Sequence, residues 1–300
     1  HSWKPDKIFL VDSEIWPNLI LKAKEQKIPI AIINCRLTSK SFKKWLFFSK
    51  ISKKIFGVFD LFICSNTETK SYLQKLNLKN IYFKGNIKLA SDINKKSIKN
   101  VNKKILTKKR FWLAASTHRQ EDIFCIKTHL KLKKKFKDLI TIIAPRHIER
   151  SKEIKFLSRK FGLNAQILNI NENILANKEL VIINHFGALN SYFKYAKSVF
   201  IGKSTILRLK DQGGQSPVEA AKLDCKIYHG PYVYNFEEIY KTLEKNNISK
   251  KINNFEELTK NLAIDLQNPK KKDTNKNKNL INKLGQKIFD DTIILINNFL

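Results

Sequence analysis

The strongest constraint in this sequence is a rhythm that stops and then starts again. Short runs rich in Ile, Val and Phe alternate with longer amphipathic stretches. Lys7–Val11, Ile28–Ile33, Val58–Cys64 and Ile81–Phe83 read as buried strands, with helices at Trp16–Gln26, Lys40–Lys54 and Thr67–Leu76 between them. Such alternation calls for a parallel sheet covered on both faces. From about Ser91 to Arg110 the chain turns Lys- and Asn-rich with few apolar positions, the composition of an inter-domain connection. The alternation then resumes. Strands are expected at Phe111–Ala115, Leu139–Ala144, Ala165–Leu168, Leu180–Ile183, Ser198–Ile201 and Lys226–Tyr228, and helices at Glu121–Lys135, Glu149–Phe161, Leu189–Ala196, Pro217–Leu223, Phe236–Glu244 and Phe255–Gln267. Pro269–Asn279 reads as a solvated run before a last helix. The pattern predicts a first α/β unit over residues 1–92, a linker over 93–110, a second unit over 111–279 and a closing helix over 280–300.

At 300 residues and 42% hydrophobic content the chain can bury two cores. No apolar run reaches the roughly 18–20 residues of a membrane span. The start, His1-Ser2-Trp3-Lys4-Pro5, has neither Met nor the apolar region of a signal peptide, and reads as a chain that lacks its natural beginning. The formal net charge of +32 points to an anionic partner, but only seven of the 58 basic residues are Arg. Arg is the usual reader of bases, so the composition argues against nucleic acid and fits a basic membrane-facing surface or an A- and T-rich genome. Cys35, Cys64, Cys125 and Cys225 form no C-x-x-C pair and read as buried, reduced thiols rather than zinc ligands.

In open parallel sheets ligands bind beyond the carboxyl ends of the strands, so the residues just after each strand carry the most information. In Gly213-Gly214-Gln215-Ser216-Pro217-Val218-Glu219, Ser216, Pro217 and Glu219 make a helix start with a capping box. The same segment can receive a phosphate on its free N–H groups, with Glu219 facing a ribose, and spacing alone leaves both readings open. Arg146, in Ala144-Pro145-Arg146-His147, is either a phosphate clamp or a surface cap on its strand. His118 also follows a strand, and Thr117 beside it is a possible helix cap. In the first unit Asp12 and Glu14 stand just after a strand, and Gly85-Asn86-Ile87-Lys88 closes the unit.

Seven blocks, DSEIWPNLI, INCRLTSKS, GNIKLA, AASTHRQE, APRHIER, GGQSPVEAA and GPYVYNFEEI, stand in one order and spacing across nearly the whole chain to about Ile239. In these the sequence resembles the 3-deoxy-D-manno-octulosonate (Kdo) transferases of lipopolysaccharide synthesis. The resemblance implies an α/β fold of two Rossmann-like domains facing a central cleft, of the GT-B glycosyltransferase type, with the N-terminal domain incomplete here. It implies an inverting transferase that needs no metal or other cofactor. The donor would be CMP-Kdo, and the acceptor the lipid A precursor (lipid IVA) at the cytoplasmic face of the bacterial inner membrane. It assigns CMP binding to Pro145 and Arg146, to Ser216, Pro217, Val218 and Glu219, and to Phe186, Gly187 and Ala188; His118, from its place after a strand, is counted with them as substrate-binding. Glu14 and Lys88 match positions that stabilise the transition state.

Several residues depart from the family pattern. Asp12-Ser13-Glu14 replaces Glu-x-Glu and keeps both charges. Ser216 stands for Asn, which retains capping but loses the amide, and Gly187-Ala188 stands for Gly-Glu, so one carboxylate is missing. Arg119-Gln120 replaces Glu-Gly. The family's anchoring segment and its Ala-Ser-x-Gly-Glu motif, whose Glu is the general base, do not occur in the sequence. The alternatives are a GT-B enzyme with a UDP-sugar donor, a degenerate transferase, and a non-enzymatic basic protein that binds membrane or RNA.

Overall fold

A computed structural model describes residues 5–93, 100–268 and 275–300. The chain divides into two compact units, residues 1–91 with 282–300, and residues 92–281.

The first unit is a four-stranded parallel sheet. Its strands are β1 (Ile8–Val11), β2 (Ile30–Cys35), β3 (Leu61–Cys64) and β4 (Ile81–Phe83), in spatial order β1-β2-β3-β4. Helices α1 (Pro17–Glu25), α2 (Ser39–Phe47), α3 (Ser49–Phe56) and α4 (Thr67–Lys75) connect them. Local chemistry starts these helices. Pro17 opens α1, and the side chains of Thr38 and Asn66 accept the backbone N–H groups of Ser41 and Thr69. Ile20, Ile30, Ile32, Phe56, Phe62 and Leu73 fill one face of the sheet. The single helix expected over Lys40–Lys54 is two, because the chain bends at Phe48 (ψ 49°). There the Ser52 hydroxyl donates to the Trp45 carbonyl and also to the Phe48 carbonyl, which it shares with the Ser52 N–H.

The second unit is a seven-stranded parallel sheet of β5 (Phe111–Thr117), β6 (Ile140–Pro145), β7 (Ala165–Leu168), β8 (Leu180–Ile183), β9 (Ser198–Ile201), β10 (Lys226–His229) and β11 (Ser249–Lys251). The order is β11-β10-β9-β5-β6-β8-β7. Its helices are α5 (Asn100–Lys108), α6 (Glu121–Lys135), α7 (Ser151–Lys160), α8 (Leu189–Phe193), α9 (Val218–Lys222), α10 (Glu237–Lys245) and α11 (Phe255–Gln267). The short polar strand β11 was not expected, since Ser249-Lys250-Lys251 carries no apolar signal. A core around Trp112, Ile126, Ile143, Ile182, Phe200 and Tyr228 holds the sheet to its helices.

The linker expected over 93–110 is corrected in part. Residues 94–99 lie outside the described residues, but Asn100–Lys108 is helix α5 and belongs to the second unit. Leu106 is buried, and buried Asn102 bridges the Glu172 carbonyl and the Ile174 N–H. One apolar and one amide side chain anchor the helix despite its lysines. Much of the solvated run expected over 269–279 also lies outside the described residues, and the last helix, α12 (Lys276–Phe299), starts earlier than expected. Its final turns belong to the first unit, where Leu295, Ile296 and Phe299 pack on Ala31, Leu61 and Ile63. Gly285 allows the approach: a Cβ there would fall 2.3 Å from the Leu89 carbonyl oxygen. Lys7 Nζ donates to the carbonyls of Phe299 and Leu300 at 2.6 and 2.5 Å, closing the helix end.

Candidate active site

In the second sheet the chain leaves β5 for β6 on one side and later returns to place β9 on the other. The carboxyl ends of β5 and β9 therefore flank the switch point, where ligands of open α/β sheets bind. One side chain organises this point. The Glu121 carboxylate is fully buried and accepts five hydrogen bonds. The donors are the backbone N–H groups of His118 (2.9 Å), Lys203 (2.7 Å), Ser204 (2.9 Å) and Thr205 (3.1 Å), and the Thr205 hydroxyl (3.0 Å). It ties the loop after β5 to the loop after β9. Gly202 is required between them, because a Cβ would meet the Ser116 carbonyl at 2.6 Å and Glu121 itself at 2.8 Å.

Further segments build on this junction. Gly214 N–H donates to the Lys203 carbonyl (2.6 Å), Tyr232 N–H to the Ser204 carbonyl (2.8 Å) and Gly230 N–H to Ser204 Oγ (2.9 Å). The Gly-Gly segment is thereby laid on the loop after β9. The expected capping box at Ser216 is corrected. Helix α9 starts at Val218 with Pro217 as its N-cap and has five residues. Ser216 Oγ accepts the Val218 N–H at 3.4 Å and donates to Glu219 Oε2 at 3.3 Å, so the two side chains pair with each other in a loose form of the cap. The expected cap at Thr117 is also corrected: its hydroxyl donates to Asp122 at 3.0 Å, and Gln120 precedes α6 with a left-handed φ of 83°.

Ser116 is left-handed (φ 56°) where β5 shifts register, and this turn presents His118. The Nδ1 of His118 lies 3.2 Å from the Ser116 carbonyl, so Nδ1 carries the hydrogen and Nε2 is left as an acceptor. Burial lowers the His118 pKa to about 4; the Ser116 carbonyl opposes this, and the charge of Lys203 adds to it. The ring packs edge-on against His147, 5.8 Å away. Next to it Arg146 N–H donates to the Thr117 carbonyl at 3.0 Å, and the Arg146 side chain is exposed, with no ion pair among the described residues. Behind this surface Asp122 pairs with Arg150 and is nearly fully buried, and burial raises its pKa against the pull of Arg150.

The structure thus brings His118, Arg146 and the Ser216–Glu219 segment to neighbouring strand ends around Glu121. Phe186, Gly187 and Ala188 follow β8, one strand beyond β6, with Phe186 72% exposed and Gly187 left-handed (φ 75°). The side chains of Pro145, Ala188, Pro217 and Val218 are buried, so these residues can face a ligand only through their main chain. Glu121 was missed as a site residue. It stands in the AASTHRQE block, where an acid in a first helical turn reads as a partner of the helix dipole.

The first unit has its own cluster at the carboxyl ends of β1 and β2. Lys88 Nζ lies 3.1 Å from Asp12 Oδ2, and Asp12 Oδ1 accepts from the amide of Asn34. Asn34 is buried and in turn accepts the Ile87 N–H at 3.3 Å. Asp12 and Asn34 are both left-handed, at φ 61° and 57°. The partner of Lys88 is therefore Asp12. Glu14 is exposed and accepts from the Trp16 indole at 2.8 Å. Asn34 was not singled out in the sequence; an Asn at a strand end before Cys-Arg was its only signal.

Two parallel Rossmann-like units with ligand loops at their strand ends define a GT-B glycosyltransferase fold. Solved structures agree. Trehalose 6-phosphate synthase from Burkholderia multivorans superposes with a TM-score of 0.59 at 8% identity, over 98% of this chain and 72% of that one. The C-terminal CMP-Kdo binding domain of WaaA from Acinetobacter baumannii gives 0.52 at 18% identity, over 63% of this chain and 94% of that one. The family model of 3-deoxy-D-manno-octulosonic-acid transferase (kdotransferase) matches residues 1–91. The 3-deoxy-D-manno-octulosonic acid transferases of Rickettsia bellii and Rickettsia conorii are each 30% identical to the whole of this chain, which spans 71% and 64% of their lengths. The chain belongs to the Kdo transferase family.

Proposed function

We propose that this chain forms the donor-binding unit and part of the acceptor unit of an inverting glycosyltransferase that moves Kdo from CMP-Kdo to a lipid A precursor in lipopolysaccharide core synthesis. The observation that carries this is the Glu121 junction. It fixes the loops after β5 and β9 at the switch point and leaves Arg146 exposed one strand away.

A CMP leaving group has one phosphate. Arg146 supplies a two-pronged cation for it, and the Ser216–Glu219 segment offers backbone N–H groups. The acceptor hydroxyl oxygen bonds to the anomeric carbon as the bond from that carbon to the phosphate oxygen breaks. CMP leaves with the electron pair, and the hydroxyl proton passes to a base. The transition state is oxocarbenium-like at a carbon that also bears a carboxylate. Glu14 offsets the developing positive charge and Lys88 holds the sugar acid. Such an enzyme works at the anionic cytoplasmic face of the inner membrane. Among the described residues no helix is long and apolar enough to cross a membrane.

Calorimetry on the chain tests the donor. CMP is expected to bind more tightly than UDP, and Arg146→Ala to weaken CMP by roughly 10- to 100-fold, the loss of a charge-assisted pair. Preference for UDP would move the assignment to a UDP-sugar enzyme. A folded chain that bound neither nucleotide would mark a degenerate transferase.

A further inference from the structure

The corner between α2 and α3 carries apolar side chains that the core does not use. On the inner side Phe42 stacks on Tyr72 with centroids 4.1 Å apart, and Trp45 packs edge-on against Phe56 at 5.0 Å. On the outer side Leu46, Phe47, Phe48 and Ile51 are 49%, 83%, 54% and 53% exposed. Phe47 is the most exposed large apolar side chain among the described residues. Phe47 and Phe48 meet edge to face at 5.0 Å, so they form one apolar tip at the bend rather than two scattered residues.

The segment that carries the tip is charged with one sign only. The segment Thr38–Gly57 contains no Asp, Glu or Arg. Its lysines, Lys40, Lys43, Lys44, Lys50, Lys53 and Lys54, are all exposed. Exposed aromatics bordered by flexible cations match the interface of an anionic bilayer: the rings enter the headgroup boundary while the ammonium groups stay with lipid phosphates. A nucleic-acid surface would instead be built on Arg and on rings placed to stack bases. We infer that the α2–α3 corner docks this protein on an anionic membrane by inserting Leu46, Phe47, Phe48 and Ile51 within their ring of lysines. The inference rests on the membrane setting of the proposed reaction and names the surface that meets it.

Sedimentation of the full chain with vesicles tests this, with no donor or acceptor present. Vesicles of equal parts phosphatidylglycerol and phosphatidylcholine are compared with pure phosphatidylcholine. The wild type is expected to bind the anionic vesicles. The pair F47S/F48S leaves the charge intact and is expected to weaken that binding by at least about tenfold. Lys50→Gln and Lys53→Gln are expected to weaken it by about fivefold each. Because the four native cysteines are buried, a polarity-sensitive dye on Phe47→Cys reports insertion directly. Its emission is expected to shift to the blue on anionic vesicles, while a dye on Lys152→Cys in α7 stays unchanged.

If the wild type binds and F47S/F48S binds equally well, with no shift at position 47, the corner is not the docking surface. The membrane setting then stands on other lysines. If the wild type ignores anionic vesicles altogether, both the setting and the corner fall. Unchanged vesicle binding by F47S/F48S with loss of a polyanion such as RNA would assign the corner to nucleic acid and overturn the inference.

Discussion

Both strand-end clusters lie at the carboxyl ends of two neighbouring strands, one at a sheet edge and one at a switch point, and they are built to different standards of rigidity. In the second unit one buried carboxylate is saturated by five donors from two loops. In the first unit Asp12 and Lys88 are each nearly half exposed, and only the amide of Asn34 holds the carboxylate from within. A fully satisfied buried carboxylate fixes its surroundings, because every donor it releases would be stranded away from water. A half-exposed pair can separate at little cost and take another partner. The strand-end loops of the second unit are preformed. The first unit offers a cation that can exchange Asp12 for an incoming anion.

The largest effect should come from breaking the rigid member. Glu121→Gln replaces one oxygen acceptor with an NH₂ that faces backbone N–H groups. The unfolding of the second unit should lose roughly 3 kcal/mol or more, read as a fall in its melting transition by calorimetry. A midpoint within about a degree of wild type would mean that the loops after β5 and β9 hold themselves in place.

Acid should separate the two units next. The folded-state pKa values of His118 and His129 lie near 4, lowered by burial from 6.5; His129 is fully buried against Thr141, and Glu179 partly opposes the shift. His229 is lowered as well, again by burial. Between pH 6.5 and about 4 the unfolded chain holds these protons and the folded one does not. Stability is therefore complete above pH 6.5 and is lost as pH falls through the folded values. The first unit has no histidine among its described residues. Hydrogen exchange at pH 7 and pH 5 should show the second unit opening more readily at the lower pH and the first barely changed. Equal loss in both units would put the acid sensitivity elsewhere.

The sheets were legible because parallel strands buried on both faces are continuous apolar runs, as in Ile140–Ala144 or Leu180–Ile183. Exposed helix ends and polar strands were not. Lys-rich Asn100–Lys108 carries its anchors in Asn102 and Leu106 alone, and Ser249–Lys251 pairs through its backbone alone. In the site, position after a strand drew attention to Arg146 and His118 but left their roles open, and Lys88 was singled out through the family resemblance. Glu121 and Asn34 escaped because their roles depend on burial and on contacts with remote loops, Lys203–Thr205 and Ile87, which no local pattern encodes. The pairing of Lys88 with Asp12 rather than Glu14 is of the same kind. It follows from the left-handed turn at Asp12, which aims that carboxylate at Asn34 and Lys88.

The smallest effect concerns that pairing, and it decides whether the first cluster is as loose as its exposure suggests. Lys88→Ala removes an ion pair whose members are 46% and 43% exposed, so it should cost no more than about 1 kcal/mol, and less at high salt. Asp12→Asn is the more telling variant. Asn tolerates the left-handed backbone at this position, and its amide oxygen still accepts the buried Asn34 donor, so only the charge is lost. Its cost should match that of Lys88→Ala, and the double variant should cost no more than either alone, because each single change already removes the one interaction they share. Chemical unfolding of the three variants reads this directly. If Asp12→Asn alone cost roughly 3 kcal/mol, the Asp12 charge would be a structural fixture like that of Glu121. Lys88 would then be held in place rather than free to receive an anion, and the contrast between the two clusters would collapse.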